Sequence, residues 1–238
     1  MTIQLDKVVP WGRNFNEYVS MFDLTSAEKN LTILDCAAGP SSFNYEMTLQ
    51  GYNVISCDPI YQFNADEIYH RIQEVYQNII DQVKENYDTF VWQNFQSPEN
   101  LGKVRIAGME KFLQYFPNGV EQKRYLTAEL PKLPFEDNKF DLALCSHFLF
   151  LYSDQFSVEF HLESILEMCR VAKEVRIFPL LKLSGEISPL VMPIIEKLST
   201  KGYRAEIREI DYEFQKGGNQ MIRISCGMLG KHPLAISY

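Results

Sequence analysis

Three short apolar runs, Thr32–Ala37 (TILDCA), Tyr52–Asp58 (YNVISCD) and Phe140–Ser146 (FDLALCS), each end at a polar residue or a turn. Their length and turn-rich boundaries suit strands buried on both faces better than helices. Between the first two lies a helical stretch, Ser41–Gln50, followed by Gly51. Ser41 or Ser42 can cap its start, and Gly51 can end it in the left-handed conformation. Strand, tight turn, helix and strand make a βαβ unit, whose strands run parallel with a right-handed crossover. That unit commits the chain to an α/β architecture.

The later segments extend the pattern. Phe160–Ala172 reads as a helix and Glu174–Leu181 as a further buried strand. Pro193 places the regular part of the next helix between itself and Gly202. Tyr203–Asp211 and Gln220–Cys226 read as two strands of an antiparallel hairpin turning through Gly217-Gly218. One connection is out of proportion: 66 positions separate Asp58 from the strand-like Arg124–Ala128. Within it Ile68, Ile72, Val75, Tyr76, Ile79 and Val83 recur at helical spacing, and Asn64 with Glu67 forms a capping box, so a helix is expected over Ala65–Glu85. A second is expected around Pro98–Phe116. Together they read as a helical insertion at about 61–120 that covers one edge of the sheet.

With 238 residues, 46% of them hydrophobic, the chain can bury one sizeable core, so a single domain over 1–238 is expected. A net charge of -8 without runs of like charge disfavours binding to nucleic-acid phosphates. No apolar stretch is long enough to span a bilayer, and the start lacks the pattern of a signal peptide. Five cysteines (Cys36, Cys57, Cys145, Cys169 and Cys226), odd in number and without a CxxC pair, point to reduced thiols and a cytoplasmic setting. No metal is expected.

The chemistry concentrates at Ile33–Phe43 (ILDCAAGPSSF), where Asp35 ends a strand and Ala37, Ala38 and Gly39 make the turn after it. Small side chains let backbone approach a ligand, and the helix that follows offers unpaired N–H groups. A dinucleotide fold would carry G-x-G-x-x-G here; only Gly39 is present, which disfavours a nicotinamide oxidoreductase. Asp58 stands 23 residues after Asp35, at the end of the next strand. A carboxylate there can accept from both hydroxyls of a ribose, each bond worth roughly 1.5–3 kcal/mol.

The Ile33–Phe43 segment resembles the first motif of the class I, Rossmann-like S-adenosylmethionine methyltransferases, an acid followed by a small-residue turn. Ala37 and Ser41 stand where glycines are common. Ala128–Ser146 (AELPKLPFEDNKFDLALCS) looks like the family's A-E-x-L-P-F-x-D-x-x-F-D segment with a two-residue insertion, Thr127 replacing the acid often found before it. Val171-Ala172-Lys173 stands where the family has a Gly-rich turn. The resemblance spans about Thr32–Phe150. It implies a doubly wound, mostly parallel seven-stranded sheet with an antiparallel last strand, and an N-terminal cap helix at about 10–23. It further implies S-adenosylmethionine as cofactor, with S-adenosylhomocysteine as product. The turn at Asp35, Ala37, Ala38 and Gly39 would meet the methionine part, Asp58 the ribose, and Pro59 and Ile60 the adenine. Ala128 and Glu129 would reach the adenine edge, with Ser146 beside the cofactor and Arg13 on its carboxylate.

In-line methyl transfer depends mainly on positioning, which can supply on the order of 7–11 kcal/mol, so no triad or metal is needed. His147, just past the fourth strand, is the candidate base, equally readable as a packing residue. Tyr18, Tyr61 and Trp92 are candidates for the acceptor pocket, and the insertion is expected to close over it as a lid. The other histidines, His70, His161 and His232, lack metal-ligand spacing. Ser146-His147-Phe148-Leu149 is not the Asn/Asp-Pro-Pro-aromatic motif of nucleobase amino-methylation. The expected function is therefore methyl transfer to a small or medium-sized organic acceptor. A noncatalytic S-adenosylmethionine- or adenosine-binding protein of the same fold is the alternative.

Overall fold

The computed structural model describes residue 5 and residues 7–227. His232 and the ends of the chain lie outside the described residues. Helix α1 (Phe15–Met21) is closed by a capping box of Asn14 and Glu17. Strand β1 (Thr32–Cys36), helix α2 (Phe43–Leu49) and strand β2 (Asn53–Cys57) form the expected βαβ unit. Ser41 Oγ accepts from the Phe43 amide at 3.1 Å just ahead of α2, whose N-cap, Ser42, makes no side-chain capping bond, while Gly51, at φ +81, ends the turn after it.

Helices α3 (Ala65–Glu85) and α4 (Pro98–Glu121) follow, then β3 (Tyr125–Leu126), β4 (Phe140–Ser146), α5 (Val158–Val171), β5 (Ala172–Phe178) and α6 (Val191–Thr200). The hairpin of β6 (Arg204–Glu209) and β7 (Gln220–Ser225) comes last. The seven strands lie in the order β3-β2-β1-β4-β5-β7-β6, with β7 alone antiparallel.

Several boundaries differ from the sequence expectation: the N-terminal helix, expected at about 10–23, covers only Phe15–Met21, β3 is only Tyr125–Leu126, and β5 ends at Phe178. Helix α4 runs past Phe116 and through Pro117 to Glu121. Helix α6 starts at Val191, which puts Pro193 in the first turn, where a missing N–H leaves no intrahelical bond unmade. Ala172 begins β5 rather than ending a helix. The insertion also changes meaning. Helix α4 packs on α2 and β3, as the crossover helix of the β2–β3 connection, and α3 rests on α4. The extra element is α3, and it lies along a cavity at the carboxyl ends of the strands rather than on the sheet edge.

Alternation along the strands divides the core between the two faces. Leu34, Cys36, Ala143, Cys145, Val175 and Ile177 pack with Ile165, Met168, Ile194 and Leu198 of α5 and α6. Ile33, Leu142, Leu144 and Phe178 pack on the opposite side with Tyr18, Met21, Phe43 and Met47 of α1 and α2. All five cysteines are free thiols, four of them buried. Among the described residues no helix is long and apolar enough to cross a membrane.

Helix α4 is pinned by an aromatic cluster in which Phe112 meets Tyr61, Phe116 and Tyr125 at centroid distances of 5.9, 5.0 and 5.4 Å. Phe112 is fully buried. Phe112→Ala is expected to cost about 3–5 kcal/mol in urea unfolding, because removal of the ring leaves a cavity between α4 and the sheet.

Candidate active site

Strand β1 pairs with β2 on one side and β4 on the other, so chain direction away from the centre reverses there. In open α/β sheets the crevice outside the carboxyl ends at such a switch point is the binding position. The turns after all three strands meet in that crevice. Its cavity, of about 650 Å³, is lined by Ala37–Pro40, Asp58–Ile60 and Ser146–Phe148. The N-terminal segment from Val8 to Arg13 and residues of α3, among them Glu67, Ile68, Arg71 and Glu74, complete the wall.

Backbone hydrogen bonds fix the floor. Asp58 Oδ2 accepts from the Gly39 amide at 2.9 Å and Oδ1 from the Ile60 amide at 2.8 Å. The carboxylate thus ties the first turn to the second while its remaining lone pairs face the cavity. Burial, with a contribution from the Glu129 charge, pushes its pKa up to about 6 against the pull of these two bonds. Ala37 adopts φ +52, the left-handed conformation that favours glycine and costs other residues about 1–2 kcal/mol. Gly39 adopts φ +54 with open space where a Cβ would stand.

Other residues singled out from the sequence lie elsewhere. Asp35 is fully buried beneath the turn, accepting from the Tyr18 hydroxyl at 3.2 Å, and does not reach the wall. Burial raises its carboxyl well above the usual range. Tyr18 does reach the cavity, but its ring is stacked on Phe43 at 4.3 Å. The Tyr61 hydroxyl donates to the Gly39 carbonyl at 2.7 Å, so it braces the turn from behind. Ala128 packs against the core and Glu129 is exposed; neither lines the cavity. Trp92 stacks on Tyr87 at 4.8 Å and meets Phe214 edge-on at 5.8 Å, away from the wall. It missed the site because the α3–α4 connection is fastened to the β6–β7 loop through Val91 N and Phe214 O, 2.7 Å apart.

His147 occupies the rim between this cavity and a second, apolar one of about 110 Å³. It adopts φ +52, its amide donates to the Phe178 carbonyl at 2.6 Å, and its Nδ1 lies 2.8 Å from Ser146 Oγ. Burial and the charges of Arg13 and Arg105 hold the imidazole well below its usual pKa. The ring is therefore neutral, with one nitrogen available as an acceptor.

Sequence reading missed a buried charged cluster beside it. Arg105 of α4 pairs with Glu17 of α1, and Glu17 also accepts from the Tyr212 hydroxyl at 3.0 Å. Its signal was an arginine at the apolar spacing of Leu101, Met109 and Phe112 on α4. Arg13 shares the neighbourhood without an ion pair among the described residues. One of its amino groups donates to the Trp11 carbonyl at 2.6 Å, while its buried Nε has no partner. Burial and the like charge of Arg105 lower its pKa to about 10, so it stays protonated at neutral pH. Two guanidiniums against one carboxylate leave an excess positive charge facing the cavities. His70 lies on the rim of the larger cavity, and His161 is buried with its nitrogens 2.8 Å from two backbone carbonyls. Among the described residues no cluster of His, Cys, Asp and Glu could hold a metal.

The strand order and the three convergent turns define a Rossmann-like fold of the class I methyltransferase type. The chain belongs to the same family as the uncharacterized protein MJ0045 of Methanocaldococcus jannaschii, to which it is 36% identical over 226 residues, covering 93% of this chain and 98% of that one. No protein-family model matches the chain. Among solved structures it is similar to a TehB-like SAM-dependent methyltransferase from Corynebacterium glutamicum, with 13% identity, 89% and 86% of the two chains covered and a TM-score of 0.47. It is also similar to magnesium protoporphyrin IX methyltransferase from Synechocystis with bound SAM, with 12% identity, 82% and 70% covered and a TM-score of 0.42.

A neutral His147 has a direct signature. Its imidazole 15N resonances are expected to stay those of an uncharged ring through the pH range in which an ordinary histidine titrates. A titration with a midpoint near 6.5 would remove the electrostatic account given above.

Proposed function

We propose that the protein binds S-adenosylmethionine in the larger cavity and transfers its methyl group to a small or medium-sized organic acceptor. The observation that carries this reading is the convergence of Ala37–Gly39, Asp58 and Ser146-His147 on one cavity of about 650 Å³. These are the positions that the sequence motifs mark in the resembling family. The volume lies within the roughly 300–1,000 Å³ typical of small-molecule sites. The residues fit the ligand's chemistry, with a buried carboxylate for the ribose diol and an unpaired buried guanidinium for the methionine carboxylate.

Each residue then has a stated task. Asp58 accepts from the ribose hydroxyls, and Pro59, Ile60 and Phe63 offer apolar surface to the adenine. The Ala37–Gly39 backbone lies along the methionine part, and Arg13 balances the carboxylate with a charge-assisted bond. When bound, the sulfonium supplies an activated methyl group. The protein's part is to hold the acceptor in line, exclude water, and receive a proton at His147 where the acceptor carries one.

Calorimetric titration with S-adenosylmethionine and S-adenosylhomocysteine tests the reading, and no heat at millimolar ligand with folded protein would defeat it. Asp58→Ala is expected to weaken binding roughly 10- to 100-fold. Because the carboxylate form is the acceptor and its pKa is about 6, affinity should be level above pH 7 and fall as pH drops below 6. Asp58→Asn should be weaker throughout and lose that dependence. Arg13→Met should weaken S-adenosylhomocysteine at least tenfold, about 1.4 kcal/mol, and change adenosine, which lacks the carboxylate, less than twofold. Binding without formation of S-adenosylhomocysteine from any acceptor would favour the noncatalytic alternative.

A further inference from the structure

The second cavity is the feature that the site described so far leaves unused. It shares Val9, Trp11, Arg13 and His147 with the larger one, so the two spaces meet at the histidine. Elsewhere its wall is mainly apolar, built from the carboxyl-terminal half of α3 (Ile79 and Val83), from Phe90 and Phe214, and from Leu181 and Leu183 beyond β5, with Tyr152, Tyr212 and Gln215 as its polar members. Phe90 and Phe214 stack at 4.8 Å, and Lys216 N donates to Thr89 O at 2.9 Å, which joins the two segments that carry these rings. Helix α3 thus walls both spaces, the larger with its first turns and the smaller with its last.

We infer that this cavity is the acceptor pocket, and that the acceptor is an uncharged compound about one ring in size that presents a hydroxyl to His147. The inference rests on the methyltransferase reading above.

Size comes first. A volume of about 110 Å³ is below the roughly 150 Å³ apolar cavity that takes benzene, so at most one ring can enter, with its hydroxyl and part of its outline left in the adjoining larger cavity. Charge comes second. Arg105 is matched by Glu17, and Arg13 is matched once a methionine carboxylate lies beside it, which leaves no charge to pair with an ionised acceptor. An ammonium or carboxylate would lose its hydration against apolar walls without compensation. Polar chemistry comes third: the Tyr212 hydroxyl is already given to Glu17, which leaves Gln215 on the far wall and Tyr152 and His147 toward the larger cavity. The Tyr152 hydroxyl accepts from the Val9 amide at 3.4 Å and keeps its own proton to donate to an acceptor oxygen. His147 Nδ1 lies 2.8 Å from Ser146 Oγ, and in the tautomer in which Nδ1–H donates to that oxygen Nε2 is left to accept. In the transfer, the acceptor oxygen bonds to the methyl carbon and the carbon–sulfur bond breaks with its electron pair left on sulfur. The hydroxyl proton passes to Nε2 of His147, so the sulfonium charge ends as an imidazolium that releases its proton to water.

The experiment pairs binding with turnover on the full chain. Binding of p-cresol, benzylamine, benzoate and 1-pyrenol is followed by saturation-transfer NMR, with and without S-adenosylhomocysteine. S-Adenosylhomocysteine formation from S-adenosylmethionine is followed by mass spectrometry with the same four compounds. p-Cresol should bind and be methylated on oxygen, with the other three at least tenfold poorer. Leu183→Trp and Leu151→Trp, two half-buried positions on the smaller cavity alone, should each weaken p-cresol at least tenfold and move S-adenosylmethionine affinity less than twofold. The inference is overturned if S-adenosylmethionine binds while p-cresol does not, if a charged ring compound is preferred, or if both folded tryptophan variants handle p-cresol like the parent. If p-cresol binds in a Leu183-dependent way but S-adenosylmethionine does not bind, the pocket stands and its role in methyl transfer falls with the parent reading.

Discussion

Everything at the site depends on the seating of β1 between β2 and β4. In register, Cys36 lies opposite both Cys57 and Cys145, so the three strands finish level and their turns open on one space. A slip of one residue would turn every side chain of β1 to the other face, sending Asp35 toward α5 and α6 and breaking its bond from Tyr18. Asp58 converts that alignment into a rigid floor. It accepts amides from both of the first two turns, at 2.9 and 2.8 Å, and the same carboxylate faces the cavity. In the proposed reading, the group that holds the turns in place is also the one offered to the ribose.

The second organising element is electrostatic. Burying Arg105 with Glu17 carries a desolvation cost that their attraction offsets only in good geometry, so such pairs are poor evidence of stabilisation. Here the pair joins three parts of the chain that the sheet does not: α1 through Glu17, α4 through Arg105 and the β6–β7 loop through Tyr212. The residues common to both cavities are Val9, Trp11, Arg13 and His147, beside this cluster. Placing Arg13 beside a carboxylate already claimed by Arg105 leaves one cation unbalanced and depresses His147. In the proposed reading, one arrangement thus serves a ligand carboxylate on one side of the histidine and an uncharged acceptor on the other.

Much of this was legible in the sequence. The strands ending at Cys36, Cys57 and Ser146 and the helix Ala65–Glu85 follow from periodicity, capping and turn chemistry, all local properties. Asp58 was legible because it stands just past the end of β2, where the turn opens on the cavity, whereas Asp35, still inside β1, is buried against Tyr18. Trp92 and Tyr61 were not, because an aromatic residue is equally suited to a wall, a roof or a brace, and only its neighbours decide. Ala128 and Glu129 were carried by a motif, yet the short β3 leaves them outside the cavity wall.

Local physics within the sequence by itself determined the α/β class, the positions of the strand-end turns, and Gly39 and Asp58 as the residues that open and floor a cavity. Tertiary structure alone decided which carboxylate Arg105 would claim, and hence that Arg13 would be left without one. It alone also fastened Phe214 to Phe90, more than a hundred residues away in the chain, and so created the smaller cavity. The reason is range. Caps, turns and periodicities act over a few residues, whereas a charge balance or an enclosed volume is set by every segment that packs around it.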